Sequence, residues 1–258
     1  MRRMQLAGVA LLLGTVACRG TLSPLSNKIN AGQEPFFVFV ADGEDGLGDL
    51  FAAKPEGGTP FQFTFSRVDE ALPALAPGGT MVAFVRTRAP GDTTPGNLVV
   101  MNLVNGAERS VQLAGNTVDA LAWSADGATI YARRGEAIFT LPAPPAKGEL
   151  TPVAPGDAAI ADSAFRVLLG DPPLGEAVAC AGGPGICAHL ASGEVQPLSA
   201  TGTHPTRWPG DSVAYLEDGT WIVRPLGGGT ERTIRFTRPV ANPRAVSAVG
   251  KPAAAPSP

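Results

Sequence analysis

Four carboxylates fall within eight residues at Asp42-Gly-Glu-Asp-Gly-Leu-Gly-Asp49. Several hard oxygen ligands on a Gly-rich segment are what Ca²⁺ takes, but the spacing is not that of an EF-hand loop. A solvated hairpin tip has the same composition, so the segment reads as a turn and no metal site is assigned. Acids in pairs could also cleave glycosidic bonds, since the separation that chemistry needs is a three-dimensional quantity. Such sites add aromatic platforms, and the chain has three Trp and two Tyr. Two of those Trp are taken up by a repeat described below, which leaves Trp221 as the main platform. His189 and His204 are the only histidines, so a multi-histidine metal site within one chain is excluded. There is no Gly-x-Ser-x-Gly elbow, no His-Glu-x-x-His and no Gly-rich loop opening a helix. The glycine clusters at 182–185 and 227–229 sit between β-prone runs and read as turns. No catalytic residue and no cofactor is assigned.

The cysteines carry the clearest chemistry. Arg2 and Arg3 precede an uncharged, mostly apolar stretch, Leu6 to Val16, which is too short to span a bilayer and reads as an export signal over residues 1–17. Cys18, following Thr15-Val16-Ala17, resembles the lipidated Cys of a bacterial lipobox, although that motif prefers Leu where Thr15 stands. Cleavage there leaves 18 basic against 23 acidic residues, a formal charge of −5. It also leaves an even pair, Cys180 and Cys187, flanking the tight reversal Ala181-Gly-Gly-Pro-Gly-Ile186. Cysteines on facing strands of a hairpin reach disulfide distance, and an exported protein meets an oxidising compartment. The pair is assigned as a disulfide, with two buried free thiols as the alternative. One nearby His does not complete a zinc set.

What must position these groups is a repeat. Pro73-Ala-Leu-Ala-Pro-Gly-Gly-Thr-Met-Val-Ala-Phe84, Ala120-Leu-Ala-Trp-Ser-Ala-Asp-Gly-Ala-Thr-Ile-Tyr131 and Pro205-Thr-Arg-Trp-Pro-Gly-Asp-Ser-Val-Ala-Tyr215 share one phrase. Each is an apolar run, a turn and a second apolar run. A period of 40 to 50 residues marks a copied supersecondary unit that cannot bury its faces alone. With 32 Gly, 25 Pro and 17% charged residues, long helices are disfavoured, and β-prone runs between turn signals recur instead. Four strands are expected per copy: 72–76, 81–86, 97–102 and 109–113; then 120–123, 129–133, 137–141 and 150–153. A weakened copy is anchored near Phe165 and continues at 176–182 and 185–191. The last copy gives 206–208, 212–216, 221–225 and 231–236. Trp123 and Trp208 are taken as equivalent core anchors. Strands at 36–41, 49–53 and 59–65 lack a first partner, which the strand-like run Ala245–Val249 supplies by closing a ring.

The expected fold is all-β, a single propeller of four-stranded blades. Five blades are expected, or six if residues 22–34 contribute one. The propeller spans 35–249, preceded by the lipidated Cys and a tether at 18–34 and followed by a disordered tail at 250–258. Copies such as Asp119-Ala-Leu-Ala-Trp-Ser-Ala-Asp-Gly-Ala-Thr-Ile-Tyr131 resemble the propeller repeat of the translocation protein TolB and its relatives. The resemblance spans most of 36–249, with departures at Gly79 and at Pro209-Gly-Asp211. It implies an envelope protein that docks a protein, peptide or glycan on one face of the ring, and carries no catalytic motif. His204, just before an inner strand, reads as a loop His, with a funnel-facing His as the alternative. The acidic charge and the lack of a Lys/Arg cluster disfavour nucleic acid. The expectation is therefore a non-catalytic interaction module, exported and lipid-anchored to the bacterial membrane, periplasmic or surface-facing. The rival is a glycosidase-like enzyme with paired carboxylates at the funnel.

Overall fold

Short apolar runs separated by Pro-Gly, Asp-Gly and Asn-Gly turns pair into hairpins, and those hairpins build the molecule. The computed structural model describes residues 23–26, 28–92, 95–113, 117–143, 150–169, 173–181, 183–208, 212–226 and 229–246. Blade 1 contains β1 (Phe37–Asp42), β2 (Gly48–Lys54) and β3 (Gly57–Gln62). Blade 2 is β4 (Glu70–Leu75), β5 (Met81–Thr87), β6 (Pro95–Asn102) and β7 (Glu108–Gln112). Blade 3 is β8 (Ala120–Trp123), β9 (Thr129–Arg134), β10 (Ala137–Pro142) and β11 (Thr151–Pro152). A helical turn, α1 (Ala158–Ser163), leads into blade 4: β12 (Val167–Leu169), β13 (Gly175–Ala179), β14 (Ile186–Leu190) and β15 (Val195–Ser199). Blade 5 is β16 (Thr203–Trp208), β17 (Ser212–Glu217), β18 (Thr220–Pro225) and β19 (Arg232–Thr233), and β20 (Ala241–Val246) follows. β20 pairs antiparallel with β1 and completes blade 1 from the inside. The five-bladed ring and its closure by the last strand are as the sequence implied.

The closing strand lies earlier than expected. It occupies Ala241–Val246 rather than Ala245–Val249, and residues 247–249 lie outside the described residues. Pro243 is accommodated because β20 is bulged against β1, with register shifts on either side of Val40. Phe165 is also not the inner-strand anchor of blade 4. It precedes β12, half-buried beneath the Arg133 guanidinium 5.0 Å from its ring centre.

Apolar clusters fill the seams between blades. Leu50, Phe63, Phe84 and Val99 join blade 1 to blade 2, and Ala83, Leu98, Trp123 and Ile130 join blade 2 to blade 3. Leu169, Ala188, Val213 and Tyr215 join blade 4 to blade 5, and Phe39, Phe51, Trp208 and Trp221 join blade 5 to blade 1. Among the described residues no such cluster joins blade 3 to blade 4. A cleft of about 530 Å³ lies between Tyr131, Thr140 and Pro142 of blade 3 and Asp157 and Ile160 of the segment that forms α1.

Trp123 and Trp208 stand at the same place in the repeat yet fill different seams. Trp123 pairs with Ile130 across six intervening residues, whereas Trp208 pairs with Ser212 across three. An odd change in loop length moves a strand residue to the other face of its sheet. Trp123 therefore packs back on blade 2, donating its indole N–H to Ala74 O at 2.8 Å. Trp208 packs forward on Phe37 of blade 1, ring centres 4.8 Å apart.

The segment expected to be a spacer is in part structural. Leu25 and Ile29, 0% and 4% exposed, sit in the blade 1–blade 2 cluster. The Ser23 hydroxyl donates to Leu103 O at 3.0 Å, and Lys54 pairs with Glu34 at 2.8 Å. No helix among the described residues is long and apolar enough to cross a membrane.

Candidate functional site

The strand order gives the ring two unlike ends. At the front face the inner strands β4, β8, β12, β16 and β20 begin, and the turns between second and third strands gather. At the back face the inner strands end. The N-terminal segment is fixed to the back face, because Ser23 binds Leu103 just past β6 and Gly32 lies against the β4–β5 turn at Gly78 and Thr80.

Three inner strands start with the same strained device. Leu72, His204 and Asn242 have φ of 51°, 53° and 46°, and each precedes a proline, Pro73, Pro205 or Pro243. Each also sits at a register shift against the neighbouring strand. Positive φ in a non-glycine residue and helical geometry before proline are both disfavoured. A bulge of this kind re-aims side chains where a strand begins. His204 is open to solvent yet crowded by protein atoms, and desolvation holds its pKa below the usual imidazole range. It lies within β16, not in a loop, with Nδ1 3.1 Å from Thr203 Oγ1.

The acids at this end act as fasteners. Asp69 Oδ1 accepts from Gly48 N at 2.9 Å and Oδ2 from Gly91 N at 3.2 Å. Asp119 likewise accepts from Gly135 N at 2.6 Å and pairs with Arg133 at 3.1 Å. Glu217 accepts from the hydroxyls of Ser199 and Thr201. The Asp42-to-Asp49 hairpin does not converge. Asp42 takes Asn242 Nδ2 at 2.6 Å and the Arg244 guanidinium, Asp45 accepts from Leu47 N, and Asp49 accepts from Gln62 Nε2 and Ser66 N. Desolvation pushes Asp42 upward, but the bonds from Asn242 and Arg244 outweigh it and hold its pKa below the usual carboxylate range. Among the described residues no three His, Cys, Asp or Glu side chains are grouped to hold a metal ion.

Two carboxylates are buried. Asp49 is 2% exposed and Glu70 1%, and burial raises both pKa values, with the Asp49 charge adding to the effect on Glu70. Glu70 Oε1 accepts two bonds from Arg86 at 2.9 and 2.8 Å, and Arg86 continues to Glu108 at 3.0 Å. Asp49 is further tied to Gln62 Nε2 and to Ser66 N on the connection from blade 1 to blade 2. Trp221 is no sugar platform. It is 1% exposed, in the aromatic cluster with its ring centre 6.4 Å from that of Phe37.

Cys180 and Cys187 are joined in a disulfide, with Cα atoms 5.0 Å apart, across the β13–β14 turn of blade 4. Cys18 lies outside the described residues. The sequence reading missed the fasteners, although the pairs Val68-Asp69 and Val118-Asp119, 50 residues apart, carried the signal. It also missed a pocket of about 550 Å³ where the β17–β18 turn meets the crossing from blade 5 to β20, lined by Thr220, Trp221, Phe236 and Arg238 among others.

No protein family and no curated protein matches the chain. Solved structures resemble it in shape. TolB from Acinetobacter baumannii aligns over 79% of this chain and 53% of its own, so this chain spans about half of that protein, at 14% identity and TM-score 0.45. A nidogen/laminin complex aligns over 82% and 81%, at 12% identity and TM-score 0.44. A dihydro-heme d1 dehydrogenase aligns over 80% and 45%, at 13% identity and TM-score 0.31. Likeness at this level reaches across binding proteins and an enzyme alike and carries no argument about function.

Proposed function

We propose that the chain is a non-catalytic interaction module of the bacterial cell envelope, exported, anchored through a lipid on Cys18, and binding a partner on its front face. The observation that carries the reading is the fixing of residues 23–34 to the back face. Cys18 lies five residues before Ser23, and five extended residues reach at most about 18 Å. An anchor there holds the back face close to the membrane and presents the front face away from it. The front face also concentrates the bulged inner strands and the connecting turns, which is where a rigid β scaffold displays contacts. The buried state of Asp49 and Glu70, and the use of the front-face acids as structural acceptors, favour docking over glycoside cleavage.

The test is in-cell photo-cross-linking with a probe residue placed at Glu44, Arg88 or Glu136 on the front face and at Val104 or Asn105 on the back face. A recurrent partner captured only from the front positions, and lost with Cys18→Ser, is the expected result. Capture from the back positions alone, or no capture above background, overturns the reading. In that event hydrolysis of glycan substrates becomes the measurement to make.

A further inference from the structure

The pocket between the β17–β18 turn and the crossing segment has two features that point to one kind of ligand, a pair of arginines and an apolar base. Its wall includes Trp221, whose Nε1 is buried and has no hydrogen-bond acceptor. Trp208 Nε1 is likewise buried without an acceptor, whereas Trp123 gives its indole N–H to Ala74 O, so the unpartnered indole does not by itself mark this pocket. Arg235 and Arg238 line the same pocket, both are exposed, and neither guanidinium has an acidic partner or a hydrogen bond among the described residues. Phe236 supplies an apolar base, stacked on Phe39 with ring centres 5.6 Å apart and an 11° interplanar angle. The depression has a volume of about 550 Å³.

The geometry points to a binding site for an acidic peptide segment of the partner, one that sets an apolar side chain on Phe236 and carboxylates on Arg235 and Arg238. Two unpaired guanidinium groups favour an anion, and their planar forks match carboxylates. The chain as a whole is acidic, with 23 Asp and Glu against 20 Lys and Arg. The attraction is therefore local to this pocket and not a property of the overall charge. The crossing segment is held in place from behind, since Gly58 N donates to Arg235 O at 3.0 Å and Thr237 N donates to Gly58 O at 2.9 Å. A Cβ on Gly57 would stand 2.5 Å from Arg235 O, so this support depends on glycine there. The site is thus built on a fixed backbone. This inference rests on the docking role proposed above and names the chemistry that the partner brings.

The probes are two labelled tripeptides, acetylated and amidated, one Glu-Phe-Glu and one Gln-Phe-Gln, titrated into the oxidised protein lacking residues 1–17. The three Trp give three indole N–H signals in a ¹H–¹⁵N spectrum, and Trp221→Phe assigns the one of interest. The acidic peptide is expected to move the Trp221 signal and to bind more weakly as salt rises. Arg235→Gln with Arg238→Gln is expected to weaken it about tenfold, the combined worth of two exposed ion pairs. Both positions are exposed, so the double variant keeps the fold, checked by unchanged Trp123 and Trp208 signals. Equal binding of the neutral peptide, an unmoved Trp221 signal, or full affinity in the double variant overturns the site. If the double variant still captures the front-face partner in cells, the docking role stands and this site falls. If no partner is captured by the native protein, the docking role itself falls.

Discussion

Blade 4 is the blade least supported by its neighbours, and its disulfide should act locally. It packs on blade 5 through Leu169, Ala177, Ile186 and Ala188, but among the described residues no apolar cluster joins it to blade 3. Its β13–β14 turn is a run of small residues, and Gly185, at φ 106° with a hypothetical Cβ 2.3 Å from Ser199 O, must be glycine. The Cys180–Cys187 bond spans a sequence separation of seven. On the chain-entropy account, closing such a loop of about eight residues is worth about 2.5 kcal/mol. Replacing both cysteines by alanine should therefore raise the opening equilibrium of the blade about 70-fold. Native-state hydrogen exchange followed by mass spectrometry is the assay, comparing peptides from 173–199 with peptides from β1, β2, β5 and β6. Faster exchange confined to blade 4 is expected, with the blade 1–blade 2 peptides unchanged. Equal acceleration everywhere, or none in blade 4, would refute both the local role of the disulfide and the weakness assigned to the blade 3–blade 4 seam.

Other outcomes follow from single side chains. Leu25→Ala removes a fully buried side chain from the blade 1–blade 2 cluster and should cost about 3 kcal/mol in urea unfolding; a loss under about 0.5 kcal/mol would return residues 23–34 to the status of a spacer. Desolvation and the Glu231 carboxylate raise the Tyr215 pKa to about 12. Its neutral form is favoured in the fold, so this stability is full below pH ~10 and is lost as pH rises through 12. Phenolate absorbance in Tyr131→Phe protein should show that late titration. Desolvation lowers the His204 pKa from 6.5, so its contribution is full above pH ~6.5 and falls as pH drops through the lower folded value. His204→Gln should flatten that part of the stability profile, and an unchanged slope would remove the effect.

The blade number, the strand pairs and the ring closure were legible because each is carried locally. Pro-Gly and Asn-Gly turns fix hairpins, and apolar pairs fix which strands face inward. What was not legible depends on register and on distant contacts. The two repeat tryptophans look alike in sequence, and only the length of the loop that follows sends Trp123 and Trp208 to opposite sides of their blades. Phe165 fell at the expected period, but α1 lengthens the connection and places it ahead of β12. The proline that marks each bulged inner strand was visible at Pro73, Pro205 and Pro243. The positive φ before it was not, since a residue before proline ordinarily avoids that region.

The distribution of charge explains why an acidic front face need not be a catalytic one. The turns and the blade-to-blade connections at this end leave backbone N–H groups without a ladder partner. Asp69 on Gly48 and Gly91, Asp119 on Gly135, and Asp49 on Ser66 each meet that need. An acid committed to a backbone N–H is held in place as an acceptor, and that bond weakens if the carboxylate takes up a proton. A general acid or base must do the opposite and exchange its proton with substrate. The same residues therefore cannot both fasten the ring and turn over a substrate without loosening the ring at each cycle. The exposed groups left uncommitted near this end carry both signs: Arg235 and Arg238 on the crossing from blade 5, and Glu44, Glu136 and Asp218 on the turns.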